Sequence, residues 1–289
     1  MSRLLATGMF LVVVASICPA SEVWRSNFDS SADGVVDIWN QNSAKATIGP
    51  AAGGKLQITN MDNSTNAYTP DKAGRPLGAT VGAGNSFSGL YQFQWSGLNQ
   101  SQTQAYEMAG FLGSDGNSTP QTRQVMTALI GHWKVGADNY ITLDMGVGGI
   151  GISGFGYKAG TTTWLANPSD NYQLTVGYDG TTRVLTLGLY DGQGNLVTQN
   201  VGDLDTDLPG LTAYGSGAYN GELNAMAFTH LGWSDYTYNG GDRSTVWQTD
   251  SLAYFNTATG AVEALLPEPA SLILLAGGLV VALRRRAGH

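Results

Sequence analysis

The chain has 289 residues, a formal charge of −8, 42% hydrophobic residues and only 12% charged ones. That charge argues against a nucleic-acid binder, which needs a basic patch to displace counterions from phosphates, and the apolar fraction is ample for a packed core. The one cysteine excludes a disulfide scaffold and a thiolate zinc cluster.

In chain order, the N-terminus comes first. Arg3 gives a positive start, Met9 to Ile17 is apolar, and Cys18-Pro19-Ala20 puts a small residue before a cut. This is the pattern of a secretory signal peptide over residues 1–20, cleaved after Ala20. A lipid anchor on Cys18 fits less well, because Ile17 is bulky where such a motif carries Gly or Ala. The exported body then has no cysteine and must fold without disulfides.

From Ser21 to Leu266 no amphipathic helix is predicted. Apolar residues recur at a spacing of two, broken every ten or so residues by Gly, Asn and Asp. Predicted strands are 55–59, 91–95, 126–133, 140–145, 172–178, 183–190, 196–201, 226–233 and 246–255. Asp179-Gly180 and Asp191-Gly192 mark turns between neighbours. Such a series without interleaved helices predicts an all-β chain, an antiparallel β-sandwich or barrel. The 40 glycines suit its hairpin turns and bulges. The glycine-rich run 146–156 is not a phosphate cradle, because no helix N-terminus follows it.

Several residues are candidates for chemistry. Asp29-x-Ser31-x-Asp33-Gly34-x-x-Asp37 spaces oxygens as an EF-hand-like loop does, which makes calcium the best cofactor candidate. Asn40 at the twelfth position cannot supply the bidentate carboxylate, so an Asx-rich turn remains the alternative. Asp203-x-Asp205-x-Asp207 is a weaker version of the same pattern. Asp144 falls within a predicted strand, with a solvated or turn aspartate as the plain expectation. His132 and His230 lack a clear carboxylate partner and are expected to be structural, because a catalytic zinc usually has three protein ligands. No Gly-x-Ser-x-Gly elbow occurs. Trp133, Trp164, Trp233, Tyr236 and Tyr238 fall near predicted loops or strand ends and are the candidates for packing on sugar faces. Trp39, Trp95 and Trp247 alternate with apolar residues and are expected in the core.

At the C-terminus, Pro267-Glu268-Pro269 precedes an apolar run at 270–283, and Arg284-Arg285-Arg286 follows. Fourteen helical residues reach about 21 Å against a hydrocarbon core of about 30 Å, but the arginines form a membrane stop signal. This tail resembles the PEP-CTERM sorting signal of Gram-negative bacteria that make extracellular polysaccharide. The resemblance implies that exosortase, a membrane protease-transpeptidase, cuts at the Pro267–Pro269 motif and passes the protein to the cell surface or extracellular matrix. A simple anchor that is never cut stays open. The implied organisation is a signal peptide at 1–20, a sandwich at 21–258, a linker at 259–266 and a sorting signal at 267–289. The hydrophobic ends are expected as a signal helix and a transmembrane helix flanking the sandwich.

The run from Asn171 to Asp179, then 183–190, then Gly194-Asn195-Leu196-Val197, resembles the central hairpins of concanavalin A-like (laminin-G-like) jelly rolls. That family opens with a Phe-Asp strand and a nearby Trp, as in Phe28-Asp29 and Trp39, and closes with a strand such as 250–255 beside the first. The resemblance implies a calcium near those two strands, to which Asp250 would contribute. Similar laminarinase-type enzymes carry Glu-x-Asp-x-x-Glu on one strand, and nothing here matches it. The expectation is an exported, non-catalytic, lectin-like protein associated with extracellular polysaccharide. A glycan-active hydrolase or lyase and a purely structural surface protein remain the alternatives. Exosortase, the secretion machinery and the membrane are its expected partners, with no nucleic acid. Between Ser21 and Leu266 the charge is −11, so the basic ends act as topology signals on a more acidic body.

Overall fold

The computed structural model describes residues 22–26, 47–51, 55–59, 71–81, 85–96, 104–114, 124–135, 138–147, 157–158, 162–165, 170–207, 228–238 and 246–265. The expected signal peptide, the sorting tail with its span at 270–283, and the Asp29–Asp37 loop lie outside them. Among the described residues no helix is long and apolar enough to cross a membrane.

Fifteen strands are described: β1 (Glu22–Ser26), β2 (Thr47–Ala51), β3 (Lys55–Thr59), β4 (Asp71–Val81), β5 (Phe87–Ser96), β6 (Gln104–Ser114), β7 (Gln124–Val135), β8 (Asp138–Val147), β9 (Tyr157–Lys158), β10 (Thr162–Leu165), β11 (Asn171–Asp179), β12 (Val184–Asp191), β13 (Leu196–Asp203), β14 (Phe228–Tyr238) and β15 (Val246–Phe255). One helical turn follows, α1 (Gly260–Glu263). Sheet A runs β13-β12-β11-β5-β15-β3-β2, with β1 also on β15, and sheet B runs β10-β8-β7-β6-β14-β4, with β9 on β8. Pairing is antiparallel throughout, so the chain is an all-β antiparallel sandwich. The last strand lies beside the first described one, with Trp24 opposite Tyr254, while the Phe28-Asp29 pair expected in the opening strand lies outside the described residues.

The apolar phase of each strand decides which face turns inward. On sheet A, Tyr172, Leu174, Val176 and Tyr178 stand opposite Phe93, Tyr91, Gly89 and Phe87 on β5. Leu185, Leu187 and Leu189 continue the same face on β12 and are fully buried. Phe87 packs on Tyr178 at 5.5 Å and on Tyr254 at 6.2 Å, and Phe93 on Tyr172 at 6.2 Å. Each such side chain contributes about 1.5–3 kcal/mol on burial. A one-residue slip would turn the whole set outward, which pins the register. Trp95 and Trp247 stand opposite each other in the phase of Phe93, and Trp39 lies outside the described residues.

On sheet B, Ile141, Leu143 and Met145 of β8 are fully buried. They share a face with Ile130 and Ala128 of β7 and Phe111 of β6. Its apolar phase makes this the face turned toward sheet A, and the opposite phase is also buried at Leu129, Thr142 and Asp144. Asn200, inward on β13 opposite Leu187, donates from Nδ2 to the Leu143 carbonyl at 2.9 Å and ties the two sheets.

The turns differ from expectation in one residue. Arg183, expected in a strand, has φ +57° and closes the turn after β11, with its amide on the Asp179 carbonyl at 2.7 Å. The Asp179 carboxylate accepts from the Thr181 and Thr182 amides, and the Asp191 carboxylate from those of Gln193 and Asn195.

The C-terminal stretch expected as a linker, 259–266, is described as far as Leu265. Residues 259–265 pack on the outer face of sheet A, where Ala261 is fully buried with Leu90, Ala253 and Phe255, and Leu265 lies against them.

Candidate functional site

Residues directly opposite each other in an antiparallel pair share a face. That rule builds a row across sheet B. Trp164 on β10 stands opposite Tyr140 on β8, and Tyr140 opposite Trp133 on β7. Trp133 stands opposite Tyr106 on β6, and Tyr106 opposite Tyr238 on β14. Five strands therefore place five aromatic residues in one line, about 19 Å long at the usual strand spacing. The line has the parity opposite to Ile141 and Leu143, so it belongs to the outer face of sheet B.

Beside the row the same face mixes small residues with larger ones. Thr142 is flanked by Gly131 and Thr162, and beyond Gly131 come Met108 and Tyr236. The following row is Asp144, Leu129, Gly110, Ser234 and Lys72. The next carries Gly146, Thr127, Leu112, Gly232 and Gly74. Leu129, Thr142 and Asp144 of these rows are buried, at 1%, 7% and 3% exposed, and the aromatic row is placed beside them by strand register.

Gly110 is required here by its backbone. Its φ is +153°, and a Cβ would come within 2.4 Å of the Ala128 carbonyl oxygen. Asp144, expected as a solvated or turn aspartate, is instead in mid-strand and 3% exposed. It accepts a hydrogen bond from the Thr142 hydroxyl at 3.1 Å, and Thr142 is 7% exposed. Both polar groups thus sit low in the face.

The five aromatic candidates separate by parity. Trp133, Trp164, Tyr236 and Tyr238 fall on the outer face. Trp233 stands opposite Phe111 and so has the phase of the core face, with Leu231 and Asp235. Nor is Trp233 to Tyr238 a loop: β14 runs on to Tyr238. Tyr106 and Tyr140 complete the row without having been singled out in the sequence. The signal was there, since each has the outward phase of its strand, but only pairing shows that the phases align.

The charged candidates are more scattered. His132 stands opposite Glu107, a carboxylate 25 positions away that sequence spacing does not reveal, and His230 stands opposite Ser114 and Pro76. The Asp203–Asp207 pattern is a turn. Asp203 accepts from the Asp205 amide at 2.8 Å, Asp207 accepts from the Asp203 amide at 3.1 Å, and Asp205 pairs with Arg183 at 2.8 Å. Among the described residues no three His, Cys, Asp or Glu side chains converge as a metal site would require. Asp29, Ser31, Asp33 and Asp37 lie outside those residues. Asp250 is the extra residue of a bulge in β15, between Thr249 opposite Phe93 and Ser251 opposite Gln92.

No protein-family model matches the chain. No curated protein matches it either. Among solved structures it is similar to a carbohydrate-binding module (CBM2) of the evolved Dit of Lactobacillus casei BL23 phage J-1. That match has 11% identity and a TM-score of 0.48, covering 83% of this chain and 97% of that one. It is also similar to peanut lectin, at 13% identity and a TM-score of 0.46, covering 80% and 95%. A legume lectin-like domain from Entamoeba histolytica matches at 14% identity and a TM-score of 0.46, covering 82% and 98%.

Proposed function

We propose that this chain is an exported, non-catalytic carbohydrate-binding protein of the bacterial surface or extracellular matrix, and that the outer face of sheet B is its sugar-binding face. The aromatic row Trp164-Tyr140-Trp133-Tyr106-Tyr238 carries this reading. Sugar C–H faces pack on aromatic rings as other apolar surface does, while neighbouring polar groups fix orientation. A line about 19 Å long suits an extended polysaccharide better than a single sugar. The sequence has no Glu-x-Asp-x-x-Glu motif, which weighs against the paired-acid chemistry of glycoside hydrolysis. The signal peptide at 1–20 and the Pro267-Glu268-Pro269 tail with Arg284–Arg286 supply the route: secretion, a transient membrane anchor, and exosortase sorting to the surface of a Gram-negative cell.

The test is a glycan-array screen with reducing-sugar release measured on every hit. Binding without release is expected. Release would replace the binding protein with a hydrolase or lyase on the same scaffold, and no binding to any polysaccharide would leave a purely structural protein.

Calcium belongs to the same proposal. The reading rests on the Asp29-x-Ser31-x-Asp33-Gly34-x-x-Asp37 spacing and on Asp250 in the last strand, as the jelly-roll resemblance implies. A native-state ligand raises stability. The unfolding midpoint should therefore fall when chelator removes calcium, and an unchanged midpoint would remove the ion from the account.

A further inference from the structure

The chain leaves the sandwich on a defined side. After β15 it turns over the outer face of sheet A, where the Ala261 amide donates to the Ser88 hydroxyl at 2.9 Å. Gly177 makes room for it: a Cβ there would come within 2.4 Å of the Ala258 carbonyl oxygen. Ala261 and Leu265 close over Leu90, Ala253 and Phe255. Thr259 donates to Glu263 across the turn at 2.6 Å. The Leu265 carbonyl reaches the β12–β13 turn, 3.3 Å from where a Cβ on Gly194 would be. A groove of about 380 Å³, bordered by Thr175, Val184, Thr186 and Val262, runs alongside and leaves this segment standing as a distinct strap.

We infer that the 258–265 segment is a latch that orients the body with respect to whatever holds residues 266–289. The strap fixes the exit on the outer face of sheet A, whereas the aromatic row lies on the outer face of sheet B. A body held by its C-terminal tail therefore turns the aromatic row away from its attachment. The exit geometry stands on the packing alone, and its use for display rests on the sugar-binding reading.

Paramagnetic labelling tests it in the full chain. Cys18→Ser removes the only native thiol, and Leu266→Cys takes a nitroxide. Amide signals of Ser88 and Gly194 should relax several-fold faster than those of Gly131 and Thr142 on sheet B. Equal relaxation of both sets would overturn the latch. Ala261→Glu puts a charge into a fully buried site and should abolish the contrast; a contrast that survives in a folded Ala261→Glu chain would also overturn it. Ser88→Ala removes the hydroxyl that accepts from the Ala261 amide and should weaken the contrast, which keeps the test open should an Ala261→Glu chain fail to fold; an unchanged contrast in both variants would overturn the latch. The label needs no glycan, so a failed glycan screen bears on the function and uniform relaxation bears on the latch.

Discussion

At the scale of single residues, small groups in constrained places hold the fold. Gly110 combines a φ of +153° with a carbonyl 2.4 Å from its absent Cβ. Gly110→Ala should lower stability by about 1–3 kcal/mol in denaturant unfolding, and a neutral result would refute the close approach. Acidity reports on the turns. The Asp191 carboxyl is held below the usual range by the Asn195 side chain and neighbouring amides, and Asp179 mainly by the Thr181 amide. Lowered native pKa values give stability that is complete above the ordinary carboxylate value of about 4 and lost as pH falls below it. Asp179→Asn with Asp191→Asn should flatten that acid limb in melts across pH. At the alkaline end, burial first and then Asp170 and Asp191 push Tyr172 up to about 12. Its contribution is complete below about pH 10 and disappears as pH rises toward that value. The sequence could not foresee the burial of Asp144, since alternation tells which face a residue joins and not how deep the face lies.

At the scale of elements, alternation identified most of the long strands, because a half-buried strand must repeat with a period of two. It failed where glycine and proline interrupt the phase, as in the β4 sequence DKAGRPLGATV. It also cut β14 short at Trp233, because Ser234, Asp235 and Thr237 look like a polar loop until β6 pairs with them. The turn α1 has four residues, too few to show any period, and its role comes from contacts with distant strands. Between sheets, Asn200 is the buried polar tie. Asn200→Ala leaves the Leu143 carbonyl without that donor and should cost about 1–3 kcal/mol in denaturant unfolding. A cost near zero would show that the tie is replaceable.

At the scale of the whole molecule, the two sheets have different outer faces. That of sheet A carries the C-terminal strap over Ser88 and Leu90. That of sheet B carries the aromatic row beside glycine and threonine. The sandwich class was legible in the strand spacing, and the closure of β15 on β1 in the likeness to jelly rolls. The row was not legible, because its five members are scattered from position 106 to position 238 and meet only through pairing. The most direct test compares polysaccharide binding by the wild-type chain and by Trp133→Ala and Tyr140→Ala, each first shown to melt as one cooperative unit. A central aromatic anchor lost from a binding surface costs about tenfold or more. The account predicts that loss for both variants and an unchanged affinity for Asn171→Ala on the outer face of sheet A. Wild-type affinity in both row variants would contradict it.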